Sequence, residues 1–342
     1  MRSGHRGKIL SVAWSQSGSR LASGAYDQGV RVFTLGSAQV STAVLREASS
    51  NAALLSGHAA DVDQVLFHPS MEHSLASAGA DKTVRVWDVR AHSKPQHTIQ
   101  TVGENINIAW SPDGNTIAVG SKDDVISFID PRGGSNSTAT GPNTSANASS
   151  KYVWHTFKRD FEVNEIRWDY TGKLFYLTTG HGTVQILDFP SFKLVHNIAG
   201  HTGNCYCIDF DPMGRRTSIG SHFCNKRYMA IGSNDSLVSL WDLDEFVCIR
   251  TLGQLDMPVR VMTFAHCGEL IAMAGTEDKN IDIASVETGE TLYSVPVSCA
   301  PETASWHPSK YVLAFCGEEP TQTGTGGRGA VQDINIGFYA LS

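Results

Sequence analysis

Short apolar runs alternate with polar positions along the whole chain, and Gly, Asp, Asn or Pro bounds each run. No stretch sustains a helical period. A period of two over four to eight residues predicts strands. The runs group into one recurring unit: an apolar pair ending in Trp or Phe, then Ser, His or Asp with Pro or Gly, then an apolar strand, an Asp-centred turn and a further strand. The clearest copy runs Gly57-His58, Val65-Leu66-Phe67-His68-Pro69, Leu75-Ala76-Ser77, Asp81 and Val84-Arg85-Val86-Trp87-Asp88. The aromatic marker falls at Trp14, Phe67, Trp110, Trp168, Phe210, Phe264 and Trp306, with separations of 53, 43, 58, 42, 54 and 42. The base period is therefore near 42, with longer gaps where residues 36–56, 131–150 and 215–227 intervene. A further loop occupies 317–330.

This is the WD-repeat signature, which has a period of ~40–45 residues, and the Trp-Asp dipeptide survives at Trp87-Asp88 and Trp241-Asp242. A four-stranded blade cannot bury both of its faces alone, whereas stacking it between two neighbours around an axis covers both. Seven copies predict an all-β fold, one closed seven-bladed β-propeller spanning residues 1–342. His58, Ser77, Asp81 and Trp87 match the hydrogen-bonded tetrad of WD repeats, in which the carboxylate orients the imidazole and the ring reaches the hydroxyl and the indole. That context assigns them a structural role and defeats a protease reading. Only Met1, Arg2 and Ser3 precede the first Gly-His. Closure of the last blade is accordingly expected to lack one strand, or the natural chain to be longer.

Composition narrows the class. With 27 Lys+Arg against 34 Asp+Glu the net charge is −7, which argues against a stand-alone nucleic-acid binder. No apolar run reaches the ~18 residues of a membrane span, and no secretory leader is evident. Seven cysteines in a chain of this length read as reduced thiols of an intracellular protein. Gly324-Thr325-Gly326-Gly327-Arg328-Gly329 matches Gly-x-Gly-x-x-Gly but lies between strands, not at a strand-to-helix turn, so it reads as a surface loop. His201, Cys205, Cys207, His222 and Cys224 lack paired knuckles and read as core thiols and a structural histidine, not a zinc site. Cys205 and Cys207, two apart on a strand, are expected to share one face. Arg215, Arg216, Lys226 and Arg227 flank an insertion and read as a solvated loop, and the Asn-x-Ser/Thr triplets at Asn136, Asn143 and Asn147 mark a polar loop. No catalytic constellation, cofactor motif or metal cluster emerges, so the reading is non-enzymatic.

Three linkers stand out between copies: Gly103-Glu104-Asn105-Ile106-Asn107-Ile108, Phe161 to Trp168, and Leu255-Asp256-Met257-Pro258-Val259-Arg260. Within them, Glu104, Asn105, Asn107, Glu162, Asn164, Glu165, Asp256 and Arg260 are candidate partner contacts, because polar residues at blade starts lie near one face of the disc. The stretch Gly103 to Asp130, the segment Glu162 to Trp168, Phe210 to Gly214, Asp235 to Arg260 and Ile281 to Gly289 resemble the THO complex subunit 3 family, the WD-repeat members of THO/TREX assemblies. The resemblance departs in the four loops. It implies a non-catalytic nuclear scaffold that docks helical THO subunits and meets a DEAD-box RNA helicase and an RNA export adaptor indirectly. RNA association would come mainly through the complex, with no membrane. Another WD-repeat adaptor, such as a ubiquitin-ligase substrate receptor or a chromatin-complex scaffold, is the alternative.

Overall fold

The computed structural model describes residues 1–36, 42–91, 94–133, 151–213, 215–219, 222–317 and 335–341. Its strands form seven antiparallel sheets around an axis, a seven-bladed β-propeller, with one additional two-stranded hairpin. The innermost strands are Ile9–Trp14, Val62–Phe67, Asn105–Trp110, Val163–Trp168, Cys205–Phe210, Val259–Phe264 and Pro301–Trp306. Each meets the inner strand of the next blade, and the last meets the first, which closes the ring. Every aromatic marker is thus the last residue of an inner strand.

Alternation along the strands gives each blade two apolar faces, and seven separate clusters of buried side chains fill the seven seams. Between blades 1 and 2, for example, small Ala13, Ala22 and Val32 meet Val65, Phe67, Leu75 and Trp87. Leu75 faces blade 1 while its neighbour Ala76 faces blade 3. Burying a side chain such as Leu75 or Phe67 is worth roughly 1.5–3 kcal/mol, so a seam left open would forfeit many such contributions at once.

Polar stitches cross the same seams. The Trp14 indole N–H donates to the Ser305 carbonyl at 3.0 Å, and the Trp306 indole to Thr263 at 3.2 Å, each reaching the preceding blade. The residue after the marker reaches the other way. Buried His68 donates from Nε2 to the Gly114 carbonyl at 3.1 Å, and its Nδ1 accepts the Ser70 and Met71 N–H groups. Burial holds the His68 pKa below its ordinary value, consistent with a neutral ring in that arrangement. A β-carbon on Gly114 would lie 2.2 Å from the His68 ring; one on Gly18 would lie 2.1 Å from His307, and one on Gly268 2.0 Å from Asp211. Glycine is needed at these turns for close approach as well as for their left-handed backbone.

The seventh sheet has three strands, Pro301–Trp306, Val312–Gly317 and Gly337–Ala340. Beside it Arg2 bridges to Asn335, while the Met1 ammonium donates to the Ile336 carbonyl and the Ile336 N–H to the Met1 carbonyl, both at 2.8 Å. The few residues before the first Gly-His thus make one bridge along this blade.

Two insertions differ from the plain loops expected. Residues 36–56 include a helix, Thr42–Ser50, whose Val44, Leu45 and Ala48 pack on the seam between blades 7 and 1. Residues 215–227 form a hairpin of Arg215–Ile219 with His222–Lys226. Most of 131–150 and of 317–330, including the Gly324 to Gly329 motif and all three Asn-x-Ser/Thr triplets, lies outside the described residues.

Two glycines with the same backbone separate close approach from backbone strain. Gly36 has φ 69° with open space where a β-carbon would go, and Gly114 has φ 71° with His68 in that space. Gly36→Ala is expected to lower unfolding free energy by about 1 kcal/mol and Gly114→Ala by about 3 kcal/mol. Denaturant titration checks this, and equal losses would show that the histidine stitch does not constrain the seam.

Candidate functional site

In an antiparallel meander, the loop leading into the first strand and the turn between the second and third strands lie at the same end. In every blade these segments form one side of the disc, the upper face, and the Gly-His motifs sit there. On blade 2 the His58 ring bridges Asp81 Oδ2 at 3.0 Å and Ser77 Oγ at 2.7 Å, and the Trp87 indole donates to the same hydroxyl at 2.9 Å. Burial works to raise the Asp81 pKa, but hydrogen bonds from His58, the Ala59 N–H and Thr83 outweigh it and hold the carboxyl well below the usual range. The side chains of His58, Asp81, Ser77 and Trp87 thus find their partners inside the blade, which fits a structural role. Two further networks are built on the Gly-His motifs of blades 1 and 5. On blade 1, His5 joins Asp27 at 2.9 Å and Ser23 at 2.8 Å. On blade 5, His201 joins Asp235 at 3.0 Å and Ser239 at 2.7 Å, and the Trp241 indole donates to Ser239 at 2.8 Å.

The inner strands share an irregularity with more bearing on function. All seven carry a register shift near their upper ends. In six of them a single residue is skipped: Leu10, Asp63, Ile106, Tyr206, Arg260 and Glu302 have no cross-strand partner. On blade 4 both Asn164 and Glu165 are skipped. A bulge bends its strand and re-aims the extra side chain. Here every skipped residue lines one central cavity of about 400 Å³. Counting back from the aromatic markers, every blade has a ring residue fourth before its marker, with Glu165 additional on blade 4, so the repeat alignment carried this signal although the candidate contacts were chosen from linker polarity. The bulge also corrects the expectation for Cys205 and Cys207. The register shifts between them, so Cys205 packs in the seam with blade 4 and Cys207 against the seam with blade 6. Burial pushes both thiols up to about 12, which keeps them protonated and unreactive.

Charges are unevenly paired around this ring. Glu302 accepts from Lys8 Nζ at 2.6 Å and from Arg260 at 3.1 Å, tying blades 6, 7 and 1 together. Despite its burial, these cations hold its pKa below the ordinary value. Burial raises the pKa values of Glu165 and Asp209, and the nearby Arg167 guanidinium opposes both shifts. Asp63 has no such close cation. Its Oδ2 is buried and accepts no hydrogen bond, and burial pushes its pKa up to about 7, against a weaker pull from Lys122.

The candidate contact residues divide accordingly. Glu162 and Asp256 are exposed on the upper face, as is Arg260, which leans on Glu302. Glu104 is partly exposed and holds Lys122 at 2.8 Å. Asn164 and Glu165 line the cavity. Asn105 and Asn107 are 0% and 3% exposed, so neither offers a free surface. Asn105 donates to the Gly79 and Thr83 carbonyls and accepts from Thr101, tying blade 3 to blade 2 where the third Gly-His is missing. Asn107 donates to the Asn164 carbonyl at 2.8 Å. Lys8, Asp63, Arg167, Asp209 and Glu302 are the functional-site groups that linker polarity did not reveal. Among the described residues, no group of three or more His, Cys, Asp or Glu side chains is placed to hold a metal ion.

The unpaired carboxylate has a consequence for stability. An acid whose pKa rises from 3.8 unfolded to about 7 folded binds more protons in the native state between those values, so its contribution to stability falls as pH rises through that window. Asp63→Asn removes the effect. Its melting temperature is expected to match the parent near pH 4, exceed it increasingly up to about pH 7, and stay ahead by the equivalent of about 1–2 kcal/mol at pH 8. Thermal melts across that range check the trend, and a pH-independent difference would contradict it.

Residues 5–316 match the family described as the THOC3 beta-propeller domain. THO complex subunit 3 of Arabidopsis thaliana is 39% identical over 317 residues, covering 92% of this chain and 88% of that protein. WD repeat-containing protein AAC3 of Dictyostelium discoideum is 29% identical over 92% of this chain and 63% of its own length. Guanine nucleotide-binding protein subunit beta-1 of Nicotiana tabacum is 25% identical over 70% of this chain and 60% of its own length. With its seven blades, its buried tetrads and a match from the first Gly-His to the second strand of the seventh blade, the chain belongs to the THOC3 beta-propeller domain family.

Proposed function

We propose that this propeller is a non-catalytic interaction scaffold of a nuclear THO/TREX-like complex, in which transcription and mRNA processing are coupled to mRNA export. The observation that carries the reading is the 39% identity to THO complex subunit 3 across 92% of the chain. The physical character of the upper face supports it. Its loops are anchored by tetrads and stitches, so a partner orders little backbone on binding and the entropic penalty of association is small. The net charge of −7 favours polypeptide partners over direct RNA contact. In this reading, helical THO subunits dock on the disc, and a DEAD-box helicase and an RNA export adaptor join through them. Exposed Glu162 and Asp256 are the contact residues to test first.

Tagged chain captured from nuclear extract is expected to recover THO subunits. The double variant Glu162→Arg, Asp256→Arg is expected to recover them at least fivefold less while melting like the parent. Quantitative mass spectrometry reads both. Recovery of a cullin adaptor in place of THO subunits would replace this reading with that of a ubiquitin-ligase receptor.

A further inference from the structure

The outer strands carry a second set of bulges. On blades 3 to 6 these strands are Val153–Lys158, Leu194–Ala199, Val247–Leu252 and Thr291–Pro296. Each skips one residue near its lower end: Trp154, Val195, Ile249 and Leu292. A skipped side chain does nothing for the ladder, and an exposed sheet edge usually carries charge. All four are nevertheless apolar. Trp154 packs against Phe128 and Phe189, with both ring centroids 5.8 Å away. The other three are uncovered: Val195 is 51% exposed, Ile249 41% and Leu292 48%, and their neighbours Leu194, Val247 and Tyr293 are exposed as well. Single apolar side chains on a surface need no explanation, but a row across three adjacent blades marks a contact.

The side chain after the skipped residue fixes this row. His196 stacks on Phe246 in the turn of blade 5, with centroids 4.9 Å apart. Arg250 donates to the Glu287 and Thr288 carbonyls in the turn of blade 6 at 2.7 and 2.8 Å. The lower rim of blades 4 to 6 is thereby one preformed surface, which lowers the cost of binding to it. Three observations identify its occupant. The bulges break the hydrogen-bonding edge that an added strand would need. The chain itself covers the seam between blades 7 and 1 with an amphipathic helix, Thr42–Ser50. Charge supplies the third. In the outer strands of blades 5 and 6 and the turns leading into them, Asp244, Glu245, Glu287 and Glu290 are exposed, and the single cation, Arg250, is spent on the two carbonyls. The other cations of blade 5 lie elsewhere: Arg227 sits over the Tyr170 ring at 3.4 Å, and Arg215, Arg216 and Lys226 belong to the hairpin between its first and second strands, nearer the axis. Blade 4 contributes Lys193 at its end of the row.

We propose that the lower rim of blades 4 to 6 is covered by an amphipathic helix of a partner protein. Its apolar side lies on Val195, Ile249 and Leu292, and a flank bearing lysine or arginine lies beside the carboxylates of blades 5 and 6. This deepens the scaffold reading by naming a second surface and the chemistry of the segment that takes it, and it rests on that reading only in requiring a protein partner.

The probe is a fluorescein-labelled amphipathic peptide of about 18 residues, five helical turns, with leucine on one side and lysine along its flanks. One twin has proline at its centre, and a second has glutamate in place of every lysine. Fluorescence anisotropy with the full chain is expected to show binding of the lysine peptide and about tenfold weaker binding of each twin. The double variant Ile249→Ser, Leu292→Ser keeps every charge and is expected to weaken the lysine peptide by about tenfold, while its melting curve confirms that it is folded. Glu287→Gln with Glu290→Gln is expected to weaken it by about threefold. Met71→Ser with Val102→Ser removes two exposed apolar side chains away from this rim and is expected to leave binding unchanged. The proposal is overturned if the Ile249, Leu292 variant binds like the parent, if the Met71, Val102 variant weakens binding equally, or if the proline twin binds as well as the helix. It is also overturned if sedimentation shows a dimer that the Ile249, Leu292 variant dissolves, because the rim would then belong to a second copy of the chain. Failure of the peptide, alongside equal recovery of THO subunits from extract by parent and Ile249, Leu292 variant, would remove this proposal and leave the scaffold reading standing.

Discussion

A sheet with two apolar faces has no stable place in water except between two others. In this chain that demand is met seven times around a circle, so no blade is terminal and no face is left over. Everything polar in the interior depends on it. The tetrads, the indole donors and the histidine stitches lie in or beside dry seams, where a satisfied hydrogen bond is strong and an unsatisfied one is heavily penalised. Loss of one seam would therefore expose apolar surface and weaken the polar links together, and a ring of this kind should yield cooperatively.

The bulges show how a repetitive frame supports a site that does not repeat. The backbone irregularity recurs in every inner strand, because each strand must bend where it approaches the axis. Its side chain is released from the ladder and makes no contribution to strand pairing, so packing places little demand on its identity. The ring accordingly holds leucine, aspartate, isoleucine, asparagine with glutamate, tyrosine, arginine and glutamate. Geometry is common to all blades while chemistry is individual, and that division makes the axis the place where one propeller can differ from another.

Much of the frame was legible in the sequence. The aromatic markers and the alternation of Leu75, Ala76 and Ser77 are set by burial in a seam, and burial leaves a periodic trace. The site was less legible, because its residues are defined by exceptions to that period. Asn105 and Asn107 look solvent-exposed in a polar linker, yet Asn105 is buried, donating to the Gly79 and Thr83 carbonyls of blade 2 at the blade start that lacks a Gly-His. Cys205 and Cys207 look like neighbours on one face, and the skipped Tyr206 separates them. Among the described side chains of the helix Thr42–Ser50, Val44, Leu45 and Ala48 form the apolar stripe, too short a pattern to announce itself among serine and alanine.

The tetrad of blade 5 has a broader meaning. Blade 2 takes its hydroxyl from Ser77 on the second strand, opposite Arg85 on the third; blade 5 takes it from Ser239 on the third strand, opposite Ile231 on the second. The requirement is for an oxygen at a point in space, and either member of a cross-strand pair can deliver it. Degenerate repeats can thus exchange residues across a ladder without losing a bond. A column-by-column alignment will score such a copy as eroded, while its network of donors and acceptors is whole.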